Sequence, residues 1–204
     1  MGYTTSELLA ELLIAIGNRE DSTFDSDWRL RKLNLAYREL WSGILHPELE
    51  RRVYATVAAN QRVIPLPSDC FAVISVRDHT NGNRLTPISY RDLDNRQWTT
   101  GVPARYARFG LNIEIDPYSD ESWELKLRYQ RRPPDLSATQ NSLLAAEWDE
   151  AILLGAKFRA FDDLGQLDRS VKAKNDYLAL VRSRLTQVEK EAEESDFGLE
   201  VEVE

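Results

Sequence analysis

Any catalysis by this chain would have to rest on carboxylates, because other reactive side chains are scarce. His46 precedes Pro47 and His79 stands beside a turn signal. Neither has the i+3 or i+4 partner that a helical metal site needs, so both read as surface residues. Cys70 is the single cysteine, which excludes an internal disulfide and suits a half-buried apolar role beside Phe71. The segments "EWDE" and "FDDLGQLD" gather Glu147, Glu150, Asp162 and Asp163, an acid set able in principle to hydrolyse a polymer such as a glycan or to bind a hard cation. No glycine-bearing calcium loop surrounds them, and charges beside an apolar stripe are ordinary on an amphipathic helix. The nine glycines form no phosphate loop, and no G-x-S-x-G occurs. These residues point away from an enzyme, from a metal and from any cofactor.

Recognition is better represented. Arg105, Tyr106, Arg108, Phe109, Trp123, Arg128, Tyr129, Arg131 and Arg132 fall in one stretch. Arginine, tyrosine and tryptophan are favoured in protein interfaces, so Arg105, Arg108 and Trp123 are expected to face a partner. The interleaved Glu114, Asp116, Asp120, Glu121 and Glu124 would repel phosphate. A net charge of −8 and a pI near 5.0 argue the same way against broad nucleic-acid binding.

The elements that must position these residues show two periodicities. Thr4 and Glu7 form a capping-box pattern before a leucine-rich stripe, which predicts a helix from about Ser6 to Ile16, stopped by Gly17. A second helix starts near Ser26 or Asp27 and places Trp28, Leu33, Ala36, Tyr37, Leu40, Trp41 and Ile44 on one face, ending before Pro47. From Arg52 the period becomes two. "RRVYATVAANQRVIPLPSD" reads as strand, Asn60 turn and strand, and "FAVISVRDHTNGNRL" as strand, Asn81-Gly82 turn and return strand, together a small meander. Ser89 and Asp92 cap a short helix through about Gln97. "ARYARFG", "LNIEIDP" and "WELKLRYQR" complete the strands, the last with Lys126, Arg128 and Gln130 on a wet face. After Leu143 a helix apolar over half its circumference carries Leu144, Trp148, Ile152, Phe158 and Phe161. The final helix, starting after Asp168, carries Val171, Leu178, Val181, Leu185, Val188 and Ala192 as a seam for one neighbouring helix.

The fold class expected is therefore α+β: a helical bundle with a small antiparallel β domain inserted between its second and penultimate long helices. The bundle takes residues 1–50 and 137–194, the β domain 51–136, and an extended acidic arm 195–204. In that arm Phe197, Leu199 and Val201 are candidate anchors, with glutamates facing a basic partner. No apolar run approaches the roughly 18 residues a membrane span requires, and no basic start precedes the first apolar stretch, so the expected place of synthesis is the cytoplasm.

In this order and spacing, the helix pair, "RRVYATVAANQRVIPLPSDCFAVISVRD", "NRLTPISYRDLDNR", "TGVPARYARFGLNIEIDP", "LKLRYQRRPPDL" and "EWDEAILLGAKFRAFDDLGQ" resemble the head-to-tail adaptor, or head-completion, proteins of tailed bacteriophages. The resemblance implies a structural part of the virion neck, with the chain in the host cytoplasm during assembly. It implies a ring of twelve copies beneath the portal protein, joined to a downstream tail or nozzle protein, with DNA passing through without specific binding. The bundles of such a ring pack side by side and against the portal, and the β portions face neighbours or the tail. The competing class is a tail-associated cell-wall-degrading enzyme using the paired carboxylates. The acidic C-terminus carries no motif that specifies docking.

Overall fold

Thr4 caps the first helix: its hydroxyl accepts the amide of Glu7, whose carboxylate in turn accepts the Thr4 amide at 2.7 Å. The computed structural model describes residues 2–19, 23–44 and 46–197, with the side chains of the last helix described up to Gln187. It is an α+β protein of two units, Met1–Ile44 with Pro134–Glu204, and Leu45–Pro133.

The first unit is helical. Helix α1 spans Thr5–Ala15 and buries Leu8 and Leu12 completely. Helix α2 spans Ser26–Gly43, opened by the Asp25 side chain, which accepts the Trp28 amide at 2.8 Å. Helices α4 (Asp149–Asp163) and α5 (Leu167–Phe197) are joined by a turn in which Gly165 has φ +69°, left-handed backbone natural to glycine. The core comprises Leu33, Ala36, Tyr37 and Leu40 of α2 against Ala151, Ile152, Ala156 and Ala160 of α4, all essentially inaccessible. Small residues bring these helices close: a Cβ on Gly155 would stand 2.8 Å from that of Ala36 and 3.4 Å from the Tyr177 ring. The buried hydroxyl of Tyr37 accepts the Leu143 amide at 3.1 Å, which fixes the approach to α4.

Tyr177 is the main anchor of α5, 4% exposed, with Ala173 and Ser170 beside it. The seam read from the sequence is corrected here. Val171 and Leu178 are 58% and 39% exposed, because the helix turns Ser170, Ala173 and Tyr177 inward instead. Helix α5 also continues through Phe197, where an extended arm was expected to begin at residue 195. No glycine or proline precedes Gly198 in that segment, and glutamate, lysine and alanine sustain a helix.

The second unit is a pair of small sheets. Strands β1 (Glu50–Val57), β7 (Trp123–Arg131) and β3 (Cys70–Asp78) form one antiparallel sheet in the order β1-β7-β3. Strands β2 (Val63–Pro65), β6 (Asn112–Asp116), β5 (Arg105–Phe109) and β4 (Thr86–Pro87) form the other, in the order β2-β6-β5-β4. The meander expected from the sequence is not the topology. Although Asn60 (φ 62°) does sit at the turn, β1 and β2 enter different sheets, and β4 pairs with β5 in parallel. Alternation marks strands but not their partners. Helix α3 is shorter than expected, Tyr90–Asp94, with Ser89 as its cap. The wet face of β7 is incomplete: Gln130 is 1% exposed, while Lys126 and Arg128 are half-buried. Between the sheets lie Val57, Ile64, Leu66, Val76, Ile113, Ile115, Trp123, Leu125, Leu127 and Tyr129.

Candidate interaction surfaces

The arginines of the β unit mostly serve the unit itself. Arg108 is exposed on β5, yet its guanidinium donates to the carbonyl of Phe71 at 2.7 Å, of Gly110 at 3.0 Å and of Cys70 at 3.4 Å. It thereby ties the β5–β6 hairpin to the edge of β3. Arg105 and Arg96 both approach Asp116, at 3.4 and 3.6 Å, and that carboxylate is 3% exposed. A buried carboxylate needs such cations. Arg62 does the same for Glu114 at 2.9 Å, while lying over the Trp98 ring. Arg128 grips Glu50 with two bonds of 2.8 Å, which hold the Glu50 carboxyl below its usual pKa.

Trp123 was expected to face a partner, but it is 5% exposed and belongs to the core. Phe197 closes α5, and its side chain is not among those described. Leu199 and Val201 lie outside the described residues. The candidate residues are thus not brought together: Arg105 and Arg108 share one strand, and Trp123 opens another.

The structure exposes a different set. On α5, Leu167, Val171 and Leu178 lie along one line of the helix, 65%, 58% and 39% exposed. On the β unit, Phe109 and Leu111 flank Gly110 at a hairpin tip, 59% and 54% exposed, and Phe109 stacks on Tyr90 with centroids 4.8 Å apart. "FGL" across a tight turn was the available signal for that tip. On α2, Leu30, Arg31, Asn34, Leu35 and Arg38 line a shallow groove of about 450 Å³ with Asp27 and Asp135; Arg38 pairs with Asp135, and Leu35 is 46% exposed.

The carboxylates considered for catalysis do not converge. Glu147 and Glu150 flank the start of α4, and Asp162 and Asp163 its end, so the two pairs stand about 18 Å apart along the axis. That exceeds the roughly 5–9.5 Å of a glycosidase pair. Asp163 is engaged by Lys32 at 2.5 Å and accepts the indole N–H of Trp28 at 3.2 Å. The unusual carboxylate is Asp149: buried, it accepts the Tyr3 amide at 2.6 Å, and burial pushes its pKa up. Its contact with the N-terminal segment makes it a structural clasp.

His46 is 3% exposed, a correction to its reading as a surface residue; it precedes the 3₁₀ turn Pro47–Leu49, its carbonyl accepting the Leu49 amide at 3.0 Å. His79 is exposed as expected, 3.7 Å from Glu124 and edge-on to Tyr54. Cys70 is buried, which raises its thiol pKa and leaves it unreactive. Among the described residues no group of three or more His, Cys, Asp or Glu side chains is placed to hold a metal. Nor is any described helix long and apolar enough to cross a membrane.

Comparison with known proteins supplies the remaining observation. A family model described as SU10 adaptor protein matches residues 3–200. No curated protein matches the chain.

Proposed function

The chain belongs to the SU10 adaptor protein family, and from that membership we infer that it is a structural adaptor of a phage virion neck. The family match over residues 3–200 is the observation that carries this reading. The role asks for rigid packing and contact surfaces rather than chemistry. In this reading the copies close into a twelve-membered ring that joins the portal protein to the downstream tail or nozzle protein and prolongs the DNA channel.

A ring of identical subunits needs two different complementary faces on each copy. The exposed apolar line of α5 and the hairpin tip at Phe109 and Leu111 lie in different units and supply two such surfaces. Arg108 borders the second, and Arg105 stands at the other end of the same strand, opposite Asp116. The acidic charge of the chain suits the rim of a DNA channel, where repulsion lets the genome slide.

Electron microscopy of intact particles tests the reading. The expected image is a ring of this chain between portal and tail, and a dimer as the sole assembled form refutes it. Replacing Val171 and Leu178 together by glutamate is expected to abolish ring formation while leaving the helical signal of the isolated chain unchanged; full assembly of that variant removes α5 from the interface.

A further inference from the structure

Strand β1 is the outermost strand of its sheet, eight residues long, and among the described residues no strand pairs with its outer edge. The opposite edge strand, β3, is protected by the Arg108 guanidinium on the carbonyls of Cys70 and Phe71, and by a bridge from Arg77 to Arg84. Among the described residues no comparable bridge is seen on the outer edge of β1. Long open edges invite another strand.

Beside this edge the two sheets gape. An apolar slot of about 220 Å³ is lined by Val53 and Ala55 of β1, Leu125 and Leu127 of β7, and Ile64 and Leu66 near β2. Val53 and Ala55 are only half-buried. A strand laid along β1 would drop every second side chain into this slot. Apolar residues are wanted there.

The outer face asks for acid. Arg52 has a side chain 63% exposed on that face, and Lys126 of β7 lies beside it, over the Tyr54 ring. The face also carries two acids, each with a partner: Glu50 is held by Arg128 at 2.8 Å and lies 3.5 Å from Arg52, and Glu124 lies 3.7 Å from His79. The strand that fits therefore alternates branched apolar residues with carboxylates.

The chain carries that strand. Beyond the described end of α5 at Phe197, the sequence "GLEVEVE" alternates Leu199, Val201 and Val203 with Glu200, Glu202 and Glu204. At about 3.3 Å per residue, Leu199 to Glu204 covers most of the length of β1. Such a segment gains stability only by joining an existing sheet. We propose that residues 199–204 of one copy add as a fourth strand to the open edge of β1 in another copy, with Leu199, Val201 and Val203 in the slot and the glutamates against Arg52 and Lys126.

This rests on the reading of the chain as one copy in a closed ring, and it names the acceptor of the C-terminal arm. It also assigns the edge a function: one copy's tail protects its neighbour's sheet from adventitious pairing. Each copy is donor and acceptor, as a head-to-tail ring requires.

The test uses full-length chains. An acceptor carrying V201D and V203D, with its own strand disabled and its β1 edge intact, is labelled with ¹⁵N and titrated with unlabelled wild-type chain. Saturable amide shifts are expected at residues 50–57 and at Leu125 and Leu127, with exchange of the β1 amides slowed by about tenfold or more. Raising the salt concentration should weaken binding through the glutamate contacts. No shift at β1, or shifts confined to α5, overturns the proposal, as does wild-type β1 protection that is unchanged on dilution, which would mean that the strand does not come from another copy. Rings formed in particles by the V201D/V203D chain would remove this inference and leave the adaptor role standing. β1 shifts in solution without any ring in wild-type particles would remove the adaptor role instead.

Discussion

The helical unit and the β unit are stabilised by different means. In the helical unit close contact is made by small residues, with Ala36, Ala151, Ala156 and Ala160 wholly buried and Gly155 in the α2–α4 crossing. In the β unit the sheets are short, and much of the joining is ionic: Arg108 on two β3 carbonyls, Arg62 on Glu114, Arg96 and Arg105 on Asp116, Arg128 on Glu50. A two-sheet unit of this size has little apolar area to bury, so charge-assisted bonds to backbone and buried carboxylates carry more of the specification. The helical unit, with apolar area to spare, leaves some outside as the α5 line. In the β unit these arginines fasten the unit internally, whereas the aliphatic line of α5 is left exposed.

The largest effect is expected where the β unit does rely on burial. Trp123→Ala should cost about 3–5 kcal/mol, because it empties a large volume from a thin core with few neighbours able to collapse into it. Amide exchange resolved by residue is the measurement. Loss of protection should appear across β1, β3 and β7; a cost below about 1 kcal/mol would mean that the side chain is a surface feature after all.

Next comes the crossing of the helical unit. Gly155→Val places two methyl groups where even one Cβ would be 2.8 Å from Ala36, and should cost about 1–3 kcal/mol despite the better helix propensity of the new residue. Denaturant unfolding followed by helical signal reads it. Restoring room with Ala36→Gly in the same chain should recover part of the loss, which separates overpacking from a backbone effect.

Arg108→Ala should cost about 1 kcal/mol, since the guanidinium is exposed and water can replace it at the three carbonyls. Arg108→Lys should recover little, as a single ammonium cannot span those acceptors. Full rescue by lysine would show that only the charge matters.

Local signals are legible in the sequence, and long-range pairing is not. The Thr4–Glu7 capping box, a helix start near Ser26, the Ser89 cap and the strands in "ARYARFG" and "LNIEIDP" depend on residues a few positions apart, and each formed. The family resemblance drawn from the ordered motifs agrees with the match over residues 3–200. Partner choice among strands was illegible, because alternation on β1 is compatible with pairing to β2 or to β7. The α5 seam differs for a related reason: Val171 and Leu178 versus Ala173 and Tyr177 are both helical stripes, and it is long-range packing, of Tyr177 beside Gly155 and Phe158 and on Glu39, that favours the second. Arg105, Arg108 and Trp123 could not be sorted from composition, since arginine and aromatic residues fasten a small sheet pair as readily as they meet a partner.

The smallest expected effect separates two carboxylates by the sign of their response to acid. Glu50 has its pKa lowered from the ordinary 4.5, first by its hydrogen bonds from Arg128, so its ionised form is favoured in the folded state. Its contribution is complete above 4.5 and is lost as the pH falls through the depressed folded value. Asp149 has its pKa raised from the ordinary 3.8, chiefly by burial, so its ionised form is disfavoured in the folded state. Stability at this site therefore rises as the pH falls through the elevated folded value, and the gain is complete below 3.8. Glu50→Gln should accordingly destabilise the chain at neutral pH and approach neutrality in acid. Asp149→Asn, whose amide oxygen still accepts the Tyr3 amide, should stabilise the chain at neutral pH and lose that advantage in acid. Denaturant midpoints of both variants against the parent, taken at pH 7 and at successive acid steps, give two difference curves. Both should approach zero in acid, one from below and the other from above. If Asp149→Asn is destabilising at pH 7, its ionised carboxylate is favoured by the N-terminus of α4 and the Tyr3 amide more than burial disfavours it, and the contrast between the two carboxylates disappears.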